Sequence, residues 1–131
     1  MSQLESLFVS GKEIDEGLLV KILSPFLRID QNSCSIIPNE RWLQLNNELK
    51  IILFLIARKA MKLRGLPIDN EGATPSEIGE EIGLKGGSVR PKLRSLFEQK
   101  IISRTDDARY SVPNYSLTKI KTMVDTWMKE G

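Results

Sequence analysis

Six basic residues, Lys85, Arg90, Lys92, Arg94, Lys100 and Arg104, fall within residues 84–104, which hold one acid, Glu98, for a net of +5. The stretch before it, residues 74–83, carries Glu77, Glu80 and Glu81 with no base, a net of −3. Ammonium and guanidinium groups gathered on one segment bond phosphate oxygens, so this charge pattern is the footprint of a polyanion contact. Other chemistry is poorly supplied. The chain has no histidine, which removes the commonest general base and the commonest zinc ligand. Its single cysteine, Cys34, has no intrachain partner, so neither a disulfide nor a thiolate zinc site is expected. The Gly79–Ser88 stretch lacks the G-x-x-x-x-G-K-[ST] spacing of a phosphate loop, because its lysine precedes the glycine pair. No catalytic set, cofactor or metal is expected, and the chain reads as a binding protein rather than an enzyme.

The elements that must hold the basic residues can be read from periodicity and caps. Ile14, Leu18, Leu19, Ile22, Leu23 and Phe26 share one face of a helix over 13–27, which Pro25 ends or distorts. A weaker helical spacing covers Met1–Phe8, and Arg28–Pro38 reads as a short hairpin turning at Gln31–Ser33. A long helix is expected from about Asn39 to Arg64, apolar around most of its circumference and therefore covered on several sides. Thr74-Pro75-Ser76-Glu77 then starts a short helix, with Thr74 as cap, Pro75 at the first helical position and Glu77 as capping-box partner. Leu84–Gly87 is a tight turn, and Ser88–Gln99 a helix with Val89, Leu93, Leu96 and Phe97 at helical spacing. Extended runs at 101–104 and 109–113 flank a polar turn, a hairpin, and a final helix covers Ser116–Lys129.

Helix, short capped helix, tight turn, basic helix and hairpin follow one another as a winged helix-turn-helix requires. Residues 74–104, TPSEIGEEIGLKGGSVRPKLRSLFEQKIISR, resemble that motif in bacterial and archaeal transcriptional regulators, the MarR-like group among them. The resemblance rests on Ile78 and Ile82 facing inward, Gly83-Leu84 at the turn, Ser88-Val89, the buried Leu93 and Leu96, and Ile101-Ile102 entering the wing. It implies a mainly α fold with a small β-hairpin wing over residues 45–113, a helical extension over 1–44 and a further helix over 114–131. It also implies duplex DNA as partner, with the basic helix docked in the major groove. With Val89, Leu93 and Leu96 inward, Lys85, Gly86, Gly87, Ser88, Arg90, Lys92 and Arg94 are the residues expected at DNA. Arg90 is placed at a base edge, Lys85, Lys92 and Arg94 at phosphates, and the glycines where the backbone comes close. Arg104 and Arg109 flank the wing, whose tip carries Asp106 and Asp107. Two features depart from the pattern: Gln99-Lys100 stands where many relatives have glycine before the wing, and Pro91 falls inside the basic helix.

At 131 residues, 40% hydrophobic and 27% charged, the chain can bury a core without disulfides. The longest apolar run, Ile51–Ala57, is far short of the roughly 20 residues that cross a bilayer. Met1–Lys12 lacks a basic region followed by an apolar one, so no signal peptide is read, and a reduced, cytoplasmic setting is expected. Asp15-Glu16 and Asp69-Asn70-Glu71 read as solvated acids, and Trp42 and Trp127 as residues closing the core. Helices outside a winged domain commonly pair two copies, so a homodimer is expected; a monomer with both ends folded over Ile51–Ile56 is the alternative. The rival function is a winged-helix module that binds protein or RNA in a larger assembly.

Overall fold

The computed structural model describes Leu4 and residues 16–130. Helix α1 spans Glu16–Leu23 and leads into a hairpin of β1, Leu27–Asp30, and β2, Ser35–Pro38. Helices α2, Glu40–Leu43, and α3, Asn47–Arg64, precede α4, Pro75–Ile82, and α5, Gly86–Glu98. A second hairpin, β3 at Ser103–Arg104 and β4 at Tyr110–Ser111, and a 3-10 turn at Asn114–Ser116 lead into α6, Leu117–Glu130. The architecture is mainly helical with two small antiparallel hairpins. The helical spacing read at Leu7, Phe8 and Ile14 lies outside the described residues.

Several boundaries differ from the sequence reading. One long helix from Asn39 to Arg64 is in fact two, because each start has its own cap. The Asn39 side chain accepts from Trp42 N–H at 3.1 Å, and the Asn46 side chain accepts from Leu49 N–H at 2.8 Å. The break between them lets Trp42 and Leu45 both turn into the core. Pro25 lies past the end of α1, and the chain turns there so that Phe26 is fully buried. In the first hairpin Arg28 pairs with Ile37 and Ile29 with Ile36. Its turn is held by the Asp30 carboxylate, which accepts from Asn32 N–H at 2.9 Å. That bond, with help from Ser33, lowers the Asp30 pKa.

Every residue from Ile51 to Ala57 is buried, so α3 is the central pillar that its sequence requires. Helix α1 packs on it, as do α4 and β4, and α6 packs on α1. Each fully buried Ile or Leu on this helix contributes about 1.5–3 kcal/mol relative to exposure. Phe26 meets Trp127 edge to face, ring centroids 5.9 Å apart and planes at 63°. One contiguous buried cluster thus runs from Leu19 through α3 to Val124, and both ends of the described chain share a core with α3. Leu63 is 43% exposed near the end of α3. That end closes on Gly65 in the left-handed region at φ 84°, with Leu66 N–H reaching back to Met61 O at 3.0 Å.

The connection after α3 is anchored by a polar node that the sequence did not reveal. Lys59 is buried and places its ammonium 2.9 Å from Glu71 Oε2 and 2.9 Å from Asn114 Oδ1. Arg58 donates to the Glu71 and Asn70 carbonyls at 3.0 and 2.5 Å. Residues 65–73 are therefore fixed to α3 on one side. On the other, Ala73 exchanges both backbone hydrogen bonds with Tyr110, at 2.9 and 2.8 Å. That bridge adds a single-residue third strand to the second hairpin and lays it beside the start of α4.

Candidate nucleic-acid interface

The angle between α4 and α5 is set by glycine. A Cβ added at Gly79 would lie 2.7 Å from the Leu84 carbonyl oxygen and 3.4 Å from Val89 Cγ2, so only hydrogen fits there. Gly83 follows at φ 78°, and Leu84 N–H returns to Gly79 O at 2.8 Å, closing α4 and turning the chain sharply. At the other end Thr74 Oγ1 accepts from Glu77 N–H at 3.2 Å, as the cap reading requires. Glu77 reaches back to the Thr74 hydroxyl at 3.1 Å.

Helix α5 begins at Gly86, two residues earlier than read, with Lys85 at the N-cap position and no side-chain cap. Gly86 and Gly87 are thus helical rather than part of the turn. Val89, Leu93 and Leu96 form the buried row, at 0, 1 and 1% exposure. Opposite them on the helix lie Gly87, Pro91, Arg94 and Glu98, all exposed, with Arg90 and Phe97 together on one flank. Phe97, at helical spacing with that row, is 46% exposed. Pro91 sits on the solvent face within a continuous helix, so the missing N–H costs one bond to the Gly87 carbonyl without disturbing the core. Lys92 is on the other flank, partly covered in a cleft with Leu45, Asn46, Asn47 and Glu48.

The structure brings Lys85, Gly87, Ser88, Arg90 and Arg94 onto one exposed surface and sets Lys92 at its border. Among the described residues, the ion pairs engage Lys59, Arg109 and Lys121, and none engages Lys85, Arg90, Lys92, Arg94 or Lys100. The positive charge of α5 is therefore not neutralised by ion pairs among the described residues.

The second hairpin treats its two arginines differently. Arg104 is exposed, its guanidinium 6.0 Å from the Tyr110 ring centroid, and stays available. Arg109 is already engaged: it contacts Glu77 Oε1 at 3.0 Å and Asp107 Oδ2 at 3.2 Å, and donates to Gly72 O at 3.3 Å. Asp107 also accepts from the Thr105 hydroxyl, a bond that, with Arg109 beside it, holds its carboxyl below the usual aspartate range. The acidic tip is folded into its own turn.

The glycine missing before the hairpin has a structural answer. Lys100 takes the left-handed conformation itself, at φ 64°. Lys100 N–H donates to Phe97 O and Ile101 N–H to Leu96 O, both at 3.0 Å, the two bonds of a Schellman closure. Ile101 and Leu96 are both buried beneath it.

Elsewhere, an open, largely apolar groove of about 470 Å³ lies between α1, β1 and the end of α3, lined by Leu19, Val20, Ile29, Ala60 and Leu66. No group of three or more His, Cys, Asp or Glu among the described residues is placed to hold a metal ion. No helix among them is long and apolar enough to cross a membrane. No protein-family model matches the chain, no curated protein matches it, and no solved structure matches it.

Proposed function

We propose that this chain is a winged helix-turn-helix protein that binds duplex DNA by laying α5 in the major groove, and that it regulates transcription by occupying its site. The observation that carries the reading is the exposed set Lys85, Arg90 and Arg94, which makes no ion pair among the described residues, on a helix whose opposite row is fully buried. A major groove about 12 Å wide accepts one α-helix. Gly79 and Gly83 allow the sharp turn that projects α5 from the body. Lys85, Lys92, Arg94 and Arg104 take phosphates, and Arg90 takes a guanine edge. Pairing of two copies on a two-fold site belongs to the same proposal, with Val20 and Leu63 as apolar surface outside the core, 62 and 43% exposed.

The test is binding of duplex DNA across a salt series. Four phosphate contacts imply a loss of roughly a hundredfold in affinity between 50 and 200 mM salt. Arg90→Glu is expected to abolish binding while leaving the circular dichroism spectrum unchanged. Intact duplex binding by that variant would mean the recognition surface lies elsewhere. Binding that is insensitive to salt would favour a protein-docking module, for which the exposed Phe97 is the best anchor.

A further inference from the structure

Phe97 is the one large apolar side chain that α5 leaves half in solvent. It lies two helical turns after Arg90 on the same flank and follows Arg94 by three residues, so it adjoins the basic residues of that flank. Its Cα–Cβ bond leans toward the helix N-terminus, as all do in an α-helix, which carries the ring back toward Arg94 and Arg90. The core does not need it, since Val89, Leu93 and Leu96 fill that row.

Resting on the reading that α5 enters a major groove, we propose that Phe97 is a second base-reading residue, selecting the C5-methyl group of a thymine near the base pair read by Arg90. Among the unmodified bases, that methyl is the apolar feature the major-groove edge presents, and a phenyl ring is one of its natural partners. Seven residues of helix rise about 10 Å, and stacked base pairs rise about 3.4 Å, so the two side chains fall roughly two to three base pairs apart. The expected half-site therefore pairs a guanine with a thymine at that spacing. Arg90 supplies a bidentate polar contact, and Phe97 a purely apolar one whose strength does not fall with salt.

The experiment begins with duplexes selected by the protein from a random pool. Each thymine of the enriched site is then replaced by deoxyuridine, which removes the methyl and leaves pairing and hydrogen-bonding groups in place. Wild-type protein is expected to lose about fourfold in affinity at one thymine, the equivalent of one buried methylene. Phe97→Ala is expected to bind the uracil duplex as wild type does and to show no penalty at that position. If wild type tolerates deoxyuridine everywhere, or Phe97→Ala keeps the penalty, the assignment of Phe97 fails while salt-dependent, Arg90-dependent binding still supports the docking of α5. If no duplex is bound at all, the docking and the assignment fall together.

Discussion

Arg109 Nη1 lies 3.0 Å from Glu77 Oε1, which ties the second hairpin to the first turn of α4. The same guanidinium reaches Asp107 in the hairpin turn and the carbonyl of Gly72, so one side chain spans hairpin, loop and helix. An arginine held this way fixes where the hairpin stands and has little left to offer phosphate. Arg109→Ala is expected to lower stability by about 1 kcal/mol, since the pair is partly exposed and screened. The slope of log affinity for duplex DNA against log salt is expected not to change. A slope reduced by about 0.9 would instead make Arg109 a phosphate contact.

Acid should loosen that hairpin from its tip. The Thr105 hydroxyl and then Arg109 stabilise ionised Asp107, so its folded pKa is below its unfolded one. A depressed carboxylate contributes stability above its unfolded pKa, and that contribution is lost as pH falls through the folded value. The turn should therefore be indifferent to pH near neutrality and weaken only below the ordinary aspartate range. A carboxyl-carbon NMR titration checks this, with Asp107 and Asp30 both expected to titrate below the ordinary aspartate value. An Asp107 midpoint at or above the ordinary aspartate value would count against the Thr105 bond.

Lys59 makes a sharper case because it is buried, with its side chain 6% exposed against 27% for Glu71. Neutralising the carboxylate leaves an ammonium in the core with only neutral oxygens, that of Asn114 among them, to solvate it. Glu71→Gln is expected to cost about 2–3 kcal/mol, toward the lower end for a broken buried pair because Glu71 retains some water. Lys59→Met removes both the charge and the need to solvate it, and is expected to lie within about 1 kcal/mol of wild type. Chemical denaturation of both variants decides the order.

What the sequence made legible follows from how local each signal is. Thr74-Pro75-Ser76-Glu77 forms the start of α4 as read, because a cap depends on a few consecutive residues. The pillar of α3 was legible because seven consecutive apolar residues leave no face for water. The split at Gln44–Asn46 was not, since asparagine is equally at home on a helix surface and at its cap. Lys59 sits at a helical position next to Arg58, and nothing in the chain distinguishes a buried lysine from a solvated one before Glu71 and Asn114 arrive from distant segments. Of the nine residues expected at DNA, Arg109 reads like Arg104 in sequence, and only the fold brings Glu77 within reach of the first.

Lys100 is a further place where composition and conformation disagree. A non-glycine residue at φ 64° carries a steric cost of about 1–2 kcal/mol between Cβ and the following carbonyl. Lys100→Gly relieves it but frees the unfolded chain, so the net gain is expected to be about 1 kcal/mol. Because Lys100 is exposed and makes no ion pair among the described residues, the same change tests whether its charge belongs to the proposed DNA surface. A stabilised variant with an unaltered salt slope would assign Lys100 to the closure of α5 alone.

Two glycines, Gly79 in α4 and Gly87 in α5, should respond oppositely to the same methyl group. At Gly79 a methyl meets the Leu84 carbonyl oxygen at 2.7 Å, and backbone must move to admit it. Gly79→Ala is expected to cost about 2 kcal/mol by overpacking, and to impair DNA binding by opening the angle between α4 and α5. At Gly87 a methyl meets nothing within 4 Å, and the backbone is not left-handed. Gly87→Ala is expected to stabilise the helix by roughly 0.5 kcal/mol, short of the full propensity difference because it lies in the first turn. If the groove wall approaches the backbone there, the more stable protein binds DNA more weakly. Thermal midpoints and anisotropy titrations on the two variants separate these effects, and equal or better duplex affinity for Gly87→Ala would place the close approach elsewhere on α5.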